Sequence, residues 1–445
     1  MRTWIFVWLC LLLGIRGVNA QQAPLYLSLQ EALRLGLQKN PQIRAAYYQV
    51  KAAESAYRAT KSQRLFTTKL NAGYQRFSSN LPDFSITVPT PVGPREQLIA
   101  PAFLNRYGAQ LEAQQPLFTG GAIQSQIQAH HYQWQAVAYQ LEATREELAT
   151  TIQQAYWQLY TQKARMEVAR FALQQMQAHL QQIKNHLSEG LVTTKEVLAT
   201  ETRLSEIRLQ ALQAQQDSLL AALYLKHLLL LPPEQPVQIV DTIVVSPVHL
   251  SIDSLVAFAR NHRPELQQMH MQVQAEQAAI HWIKARQWPQ IALKAQVDYA
   301  RPNPYIFPPR DRFEATWRVQ LVATLDIWNW GQTKAQINEA TYRLRQMNTQ
   351  LEALERKIHL EVHQAYLMLS QAYTAIEAAA QNVQFARENY RTTYARFQQG
   401  LALNTEVLDA EATLRRASYE LVQAKAQYAQ AQAYLQRAIG KLPNP

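Results

Sequence analysis

The stretch FQQGLALNTEVLDAE at residues 397–411 has a close copy, LSEGLVTTKEVLATE, at residues 187–201. The copies lie 210 residues apart, and the same offset relates matched glycine, tyrosine and proline residues on either side of them. These pairs are Gly121 and Gly331, Gly190 and Gly400, Tyr224 and Tyr434, and Pro233 and Pro443. A constant offset over this length indicates that the chain is a tandem duplication.

The beginnings of the two copies also align. LSLQEALRLGLQKNPQI at residues 27–43 matches LSIDSLVAFARNHRPEL at residues 250–266, with an offset of 223. The alignment predicts a first repeat over residues 21–233 and a second over residues 250–445. The proline-rich segment between them, residues 234–249, is predicted to be the linker.

Residues 1–20 have the pattern of a secretory signal peptide. Arg2 precedes an apolar run, and Val18 and Ala20 form a small-residue cleavage site before Gln21. The only cysteine of the chain, Cys10, lies within that run. The mature chain is therefore expected to contain no disulfide, thiolate metal site or thiol nucleophile.

The charge of the chain gives little support to nucleic-acid binding. The formal net charge is +11, and loss of Arg2 and Arg16 with the signal peptide reduces it to +9. The excess is spread along the chain instead of forming a basic patch, so we predict no nucleic-acid partner. No later segment has 18 consecutive apolar residues, so no transmembrane helix is predicted after the signal peptide.

Four segments alternate apolar and polar residues, as strands with one apolar and one polar face do. They cover about residues 66–78, 105–118, 290–301 and 314–328. Each is long enough for a tilted strand to cross a membrane, and aromatic residues gather at their ends as interfacial girdles do. Long proline-rich loops at residues 81–103 and 301–309 join the strands on one side only. The alternative is a pair of hairpins packed on a soluble core.

Four strands cannot close a barrel, because an open edge in lipid leaves backbone groups without partners. If the strands cross a membrane, the chain is therefore expected to oligomerise. Three copies would supply twelve strands.

Two very long helices are predicted at residues 122–188 and 332–398. Proline and glycine are absent from residues 125–188, a length that corresponds to roughly 100 Å of helix. Apolar residues step by three and four along both segments, which is the spacing of a coiled-coil seam. In the second helix they are Leu351, Leu354, Ile358, Val362, Ala365, Leu369, Ala372, Ile376, Ala379, Val383 and Ala386. Gly190 and Gly400 are predicted to end the helices and to form the tips of two helical hairpins.

The layout resembles the TolC family of outer-membrane efflux and secretion channels. The resemblance rests on the duplicated beginnings, the two tips, and the strand-to-helix junctions QPLFTGG at residues 115–121 and LDIWNWG at residues 325–331. It implies a mixed fold, in which a twelve-stranded transmembrane β-barrel, open to the outside, continues into a periplasmic α-helical coiled-coil barrel. It also implies a homotrimer in the outer membrane of a Gram-negative bacterium, surrounded by outer-membrane lipid. The expected partners are a periplasmic adaptor and an inner-membrane pump of RND, ABC or MFS type.

The resemblance also assigns the site residues. Acidic residues six and nine positions after the second tip glycine form the periplasmic gate in the family, and here they are Glu406 and Asp409. The family has Asp where this chain has Glu406, and the longer side chain could change the aperture. The first tip has Glu196 but Ala199, which resembles the hairpin used for docking. The adaptor-docking residues are expected to be Gly190, Leu191, Glu196, Gly400 and Leu401.

Other interpretations have less support in the sequence. Glu406 and Asp409 could simply be solvated acids that interact favourably with a helix dipole. The motif HLEVH at residues 359–363 lacks the order of zinc proteases, so no metal site is predicted. We find no catalytic motif and predict neither an enzyme nor a cofactor. The main rival is a soluble periplasmic coiled-coil adaptor or structural protein, and the sequence does not identify the exported substrate.

Overall fold

The computed structural model describes residues 24–247 and 251–441. The signal peptide predicted at residues 1–20 lies outside them. The helices are α1 (Leu29–Lys39), α2 (Pro41–Ser62), α3 (Ala122–Ser188), α4 (Thr194–Leu229), α5 (Ile252–His262), α6 (Pro264–Lys284), α7 (Gln332–Gln398) and α8 (Asn404–Ala438). The strands are β1 (Leu25–Leu27), β2 (Thr67–Arg76), β3 (Phe84–Thr90), β4 (Gly93–Ala100), β5 (Asn105–Phe118), β6 (Val237–Ile239), β7 (Gln290–Arg301) and β8 (Glu314–Thr324).

The chain divides into two compact units. The sheet unit consists of Ala46–Leu141 and Pro264–Glu355. The helical unit consists of the described residues up to Ala45, Glu142–Arg263 and the described residues from Arg356 onward. In this part of the chain, residues 24–247 and 251–441, none of the helices combines the length and apolar character that crossing a membrane requires.

The sheet unit contains a four-stranded antiparallel sheet in the order β2-β5-β7-β8. Along β7 its polarity is the reverse of that of a soluble sheet, since two polar residues are buried and apolar residues are exposed. Gln296 and Asp298 are only 8% and 9% exposed, whereas Tyr299 and Trp317 are 50% and 77% exposed. We call the face that carries Gln296 and Asp298 the polar face, and the opposite one the apolar face.

Two parts of the sheet unit differ from the sequence-based prediction: the segment between β2 and β5, and the end of β8. Residues 81–103, treated above as a loop, contain the hairpin β3–β4, in which Ile86 pairs with Gln97. A turn at Gly93, whose φ is +118°, allows this pairing. Strand β8 ends at Thr324, four residues before the sequence estimate of 328. Its ladder ends there because Thr324 pairs with Gln290, the first residue of β7.

The helical unit includes a small parallel sheet of β1 and β6. Strand β6 lies in residues 234–249, so the segment predicted to be a linker also takes part in the fold. Nearby, Asp241 Oδ2 accepts a hydrogen bond from the Leu29 backbone N–H at 2.6 Å and caps α1. The buried Tyr156 hydroxyl lies 2.9 Å from the same oxygen. These contacts hold the segment against α1 and α3.

The apolar seam of α7 is buried along the helical unit. Its buried members are Ile358, Val362, Ala365, Leu369, Ala372, Ile376, Ala379, Val383 and Ala386. Apolar residues at alternating steps of three and four lie on one side of a helix, which explains why one continuous stripe is buried. At the C-terminal end of α8, the buried Arg263 donates hydrogen bonds to the carbonyl oxygens of Arg437 and Ala438, at 3.1 and 3.3 Å. A guanidinium at this end also interacts favourably with the helix dipole.

Candidate functional site: the paired helical tips

We call residues 187–201 tip 1 and residues 397–411 tip 2. Both tips lie in the helical unit. At the end of α3, Gly190 N–H donates to Leu187 O at 3.0 Å and Leu191 N–H donates to His186 O at 2.9 Å. The end of α7 repeats both bonds at Gly400, and each glycine has a φ of +74°. This pair of hydrogen bonds is the Schellman motif, which satisfies the last carbonyl groups of a helix and favours glycine at the residue with positive φ.

Glu196 and Glu406 have the same local contact at the start of the next helix. The Glu196 carboxylate accepts a hydrogen bond from Thr193 N–H at 2.7 Å, and the Glu406 carboxylate accepts one from Leu403 N–H at 3.2 Å. Each carboxylate therefore satisfies a backbone donor that the helix leaves free. Glu406 thus has a structural role in addition to its charge.

The difference in charge between the tips lies one turn further along. Asp409 is exposed on α8, three residues after Glu406, which is also exposed. Residues three apart are neighbours on one helix surface, so tip 2 presents two carboxylates together. Tip 1 has Ala199 at the position that matches Asp409.

An apolar cluster packs the two tips together. Its buried members are Ile183 and Val197 from the first hairpin and Phe397 and Val407 from the second. The leucines that follow the tip glycines remain outside this cluster, since Leu191 and Leu401 are 68% and 63% exposed. The end of the paired tips therefore presents exposed apolar side chains beside exposed carboxylates.

A buried chain of hydrogen bonds also joins the tips. His179 Nε2 lies 2.8 Å from Asn404 Oδ1, and Asn404 Nδ2 donates to Thr200 Oγ1 at 3.0 Å. The Thr200 hydroxyl in turn donates to Glu196 O at 2.8 Å. All three side chains are almost completely buried. The chain connects α3, α8 and α4.

The contacts of this network favour a neutral His179. Because Asn404 Oδ1 can only accept, Nε2 carries the proton, and Nδ1 has no hydrogen-bond partner among the described residues. Burial lowers the pKa of His179 below its usual 6.5, and the nearby His186 lowers it further, whereas the bond to Asn404 raises it. Protonation would place a proton on Nδ1, and this buried N–H would have no acceptor among the described residues, which is unfavourable.

Comparison with known proteins relates this architecture to a family. The sequence matches the outer membrane efflux protein family over residues 32–229 and 255–441, which together make up most of the chain. The chain belongs to this family. It is an outer-membrane channel of a tripartite efflux system, in the outer membrane of a Gram-negative bacterium and extending into the periplasm. Channels of this family act with an adaptor and an inner-membrane pump, and the family is one of transport proteins, not enzymes. The assignment does not favour the rival hypothesis of a soluble adaptor.

Solved structures of outer-membrane channels share the fold. CusC is 19% identical with a TM-score of 0.78, covering 94% of this chain and 94% of that one. VceC of Vibrio cholerae is 19% identical with a TM-score of 0.76, covering 93% and 96%. The open state of the MtrE channel of Neisseria gonorrhoeae is 18% identical with a TM-score of 0.72, covering 94% and 90%. At this identity the likeness shows the fold alone. A search of curated proteins finds no significant match.

At the last residue of tip 2, the channel contains a buried acid between two arginines. Glu411 Oε1 accepts a hydrogen bond from Arg415 Nε at 3.2 Å, and Oε2 lies 3.8 Å from Arg203 Nε on α4. Burial raises the pKa of Glu411, and the two guanidinium groups oppose that increase. The matched acid of the first repeat, Glu201, is instead partly exposed and pairs with Lys184 at 2.8 Å.

The residues that join the tips are not recognisable from the sequence alone. His179, Thr200, Asn404 and Glu411 attracted no attention, because each is an ordinary polar residue on a polar helix. One signal was available for His179, which is the polar member of an otherwise apolar stripe with Met176 and Ile183 on α3. Among residues 24–247 and 251–441, His, Cys, Asp and Glu side chains form no group of three or more that could hold a metal ion.

Proposed function

We propose that the chain forms a homotrimeric channel whose twelve strands close a barrel in the outer membrane. The observation that carries this proposal is the reversed polarity of the four-stranded sheet. Exposed apolar side chains such as Val297 and Trp317 suit contact with lipid, and buried polar ones such as Asp298 suit a polar interior. Strands β2 and β8 are the edges of the sheet, and pairing β8 of one protomer with β2 of the next would leave no open edge.

The long helices of the three protomers are proposed to form a coiled-coil barrel that crosses the periplasm. The buried seam of α7 supports this arrangement, because such seams pack helices side by side. Exposed Leu191 and Leu401, with their tip glycines and Glu196, are the proposed contacts of the adaptor. The adaptor would connect the channel to an inner-membrane pump of RND, ABC or MFS type. The proposed role is transport, without a catalytic step or a resident cofactor.

Tip 2 is the proposed periplasmic gate. In a homotrimer, Glu406 and Asp409 of the three protomers would supply six carboxylates at the narrow end of the helical barrel. A ring of carboxylates attracts cations and repels anions. Gating at tip 2 and docking at tip 1 would divide two roles between the copies of one duplicated segment.

The gate is best tested with variants that remove charge and preserve shape. Replacing Glu406 by Ala would also remove the acceptor of the Leu403 N–H, at a cost of about 1 kcal/mol. The variant Glu406→Gln with Asp409→Asn retains an oxygen at both positions. We expect it to lose much of the cation selectivity and divalent-cation block measured in planar bilayers. Glu196→Gln is the matched control, because it removes the capping charge of tip 1, and it should retain both properties. Unchanged selectivity in the double variant would exclude an acidic gate.

The location and assembly can be tested by fractionation. We expect an oligomer in outer-membrane extracts that dissociates to a monomer on heating in detergent. Release of the chain with the soluble periplasm would overturn the proposal.

A further inference from the structure

The segment between β7 and β8 folds over the polar face of the sheet. Asn303, which is 0% exposed, anchors it. Its Nδ2 donates to Glu314 O at 2.9 Å and to Thr316 Oγ1 at 3.2 Å, and its Oδ1 accepts from Tyr305 N–H at 2.9 Å. Thr316 pairs with Asp298 in the ladder and therefore lies on the polar face. The anchor thus holds Asn303 and Tyr305 on the polar face, whereas Phe313, the last residue of the segment, stacks on Tyr299 of the apolar face with ring centroids 5.1 Å apart.

Contacts further along the sheet show how far this segment reaches. The Tyr305 ring lies 5.2 Å from the guanidinium carbon of Arg318, at a distance typical of a cation–π contact. Arg318 belongs to the polar face, and its Nη2 donates to Gln296 Oε1 at 2.6 Å. The segment therefore covers polar side chains two residues beyond its anchor on β8.

The segment between β2 and β5, which carries the β3–β4 hairpin, meets the first one. Phe84 and Phe307 contact each other edge to face, with ring centroids 6.1 Å apart. Between the two segments and the sheet lies a cavity of about 700 Å³. Gly73 and Gly108 line it on the sheet side, where the absence of side chains leaves room for the aromatic residues. We call the two segments, residues 77–104 and 302–313, the outer loops.

We propose that the outer loops form a second constriction of the channel, at its extracellular mouth. This inference rests on the proposed function, in which the polar face lines the pore. Both loops leave the strands at the ends that do not continue into α3 and α7, so they lie at the extracellular side. Loops that cover the polar face narrow the path of a solute through a barrel, whereas loops that extend outward leave it open. The anchor at Asn303 sets which size of solute passes, and export displaces the loops.

The constriction differs from the barrel open to the outside that the family resemblance implies. A constriction at each end would also make passage depend on two different kinds of contact. The tips present carboxylates, while the outer loops present aromatic rings such as Phe307 and Tyr305. Solute size would then be selected at the outer mouth independently of charge at the gate.

The test measures access to the polar face from outside intact cells, so the state of the periplasmic gate does not affect it. Cys10 lies in the predicted signal peptide, so an introduced thiol would be the only one in the mature channel. Asn71→Cys places a thiol on the polar face of β2, because Asn71 pairs with Gln110 beside Asp298. Cells are treated with a small membrane-impermeant maleimide or with a long polyethylene-glycol maleimide.

We expect the small reagent to label this thiol and the long one to label it slowly. Adding Asn303→Ala should increase the labelling rate with the long reagent by about tenfold or more, because a buried three-bond anchor is lost. Asn80→Ala is the matched control, since it removes an exposed outer-loop asparagine, and it should leave the rate unchanged. Thr316→Val removes only the hydroxyl contact and should give an intermediate rate. Its labelling rate still tests the proposal if the Asn303→Ala channel fails to assemble.

Two results would overturn the constriction. Fast labelling by the long reagent without any anchor substitution would mean that the mouth is open. An unchanged slow rate with the long reagent in both anchor variants would mean that the loops do not control access. A thiol at the exposed hairpin position, Val92→Cys, separates these results from failure of the proposed function. If that thiol is not labelled in intact cells, the chain does not place its outer loops outside the membrane.

Discussion

The buried contact of Asn404 predicts how strongly the two tips are joined. Replacing Asn404 by Ala removes the oxygen that faces His179 Nε2 and the N–H donor to Thr200 Oγ1. Thr200 still donates its hydroxyl proton to Glu196 O, so it remains partly satisfied. His179 loses its only hydrogen-bond partner, because Nδ1 already has none among the described residues. The main cost is therefore one buried imidazole N–H without an acceptor.

A buried donor left without a partner costs about 1–3 kcal/mol. If the tips separate, water can solvate His179, so this cost applies only to the packed state. The equilibrium between packed and separated tips should therefore shift by about 5- to 150-fold toward separation. The apolar cluster of Ile183, Val197, Phe397 and Val407 remains, so the rest of the helical unit should stay folded.

Hydrogen–deuterium exchange of the purified channel measures this shift directly. Amides at the start of α8 and α4 should exchange faster in Asn404→Ala than in the wild type, whereas amides of the buried α7 seam should be unchanged. Thr194→Ala is the matched control, because Thr194 occupies the same repeat position and is exposed. Equal exchange at the tips in Asn404→Ala and the wild type would refute the reasoning, as would an equal increase in Thr194→Ala.

Three further predictions concern the same region. Burial lowers the pKa of His179 in the folded state, so the unfolded chain binds its proton more tightly, and stability present above about pH 6.5 is lost as the pH falls. Thermal unfolding should show this loss, and His179→Gln should reduce it; an identical pH dependence would contradict it. Arg415→Gln removes the guanidinium that donates to the buried Glu411 and should lower the free energy of unfolding by about 3 kcal/mol, against about 0.5 or less for Lys184→Gln in the exposed Lys184–Glu201 pair, in denaturant titrations. Equal losses in the two would be inconsistent with burial as the cause. Gly400→Ala meets no atom within 4 Å but keeps a φ of +74°, so it should cost about 1–2 kcal/mol through the backbone alone, and an unchanged melting temperature would argue against this.

Periodic features were predictable because they depend on many residues at once. The α7 seam repeats its apolar step from Ile358 to Ala386, so one exception would not have changed the assignment. The reversed polarity of the sheet has the same basis, since alternation over ten residues places every second side chain on one face. The role of the tip glycines was also predictable, because a helix that ends with a residue in the left-handed region favours Gly there.

Single polar contacts were not predictable, because the partner lies far away in the chain. Asn404 and Thr194 occupy matched positions and are both polar, yet only Asn404 is buried. The difference comes from His179, which is 225 residues away from Asn404. Glu411 and Glu201 are identical residues at matched positions, and one is buried between arginines while the other is partly exposed. An alignment of the two repeats therefore predicts the same burial and the same partners for both members of each pair.

The two tips also show why the charge difference falls at one position and not at another. Glu196 and Glu406 each accept a backbone N–H at the start of a helix, so losing either carboxylate would weaken that start. Asp409 and Ala199 lie one turn later, exposed, where the helix already has its internal hydrogen bonds. A carboxylate can be present or absent there without cost to the fold. Function can therefore differ between the tips at this position while the duplicated backbone stays the same, and in the proposed function Asp409 supplies the charge that distinguishes the gate from the docking tip.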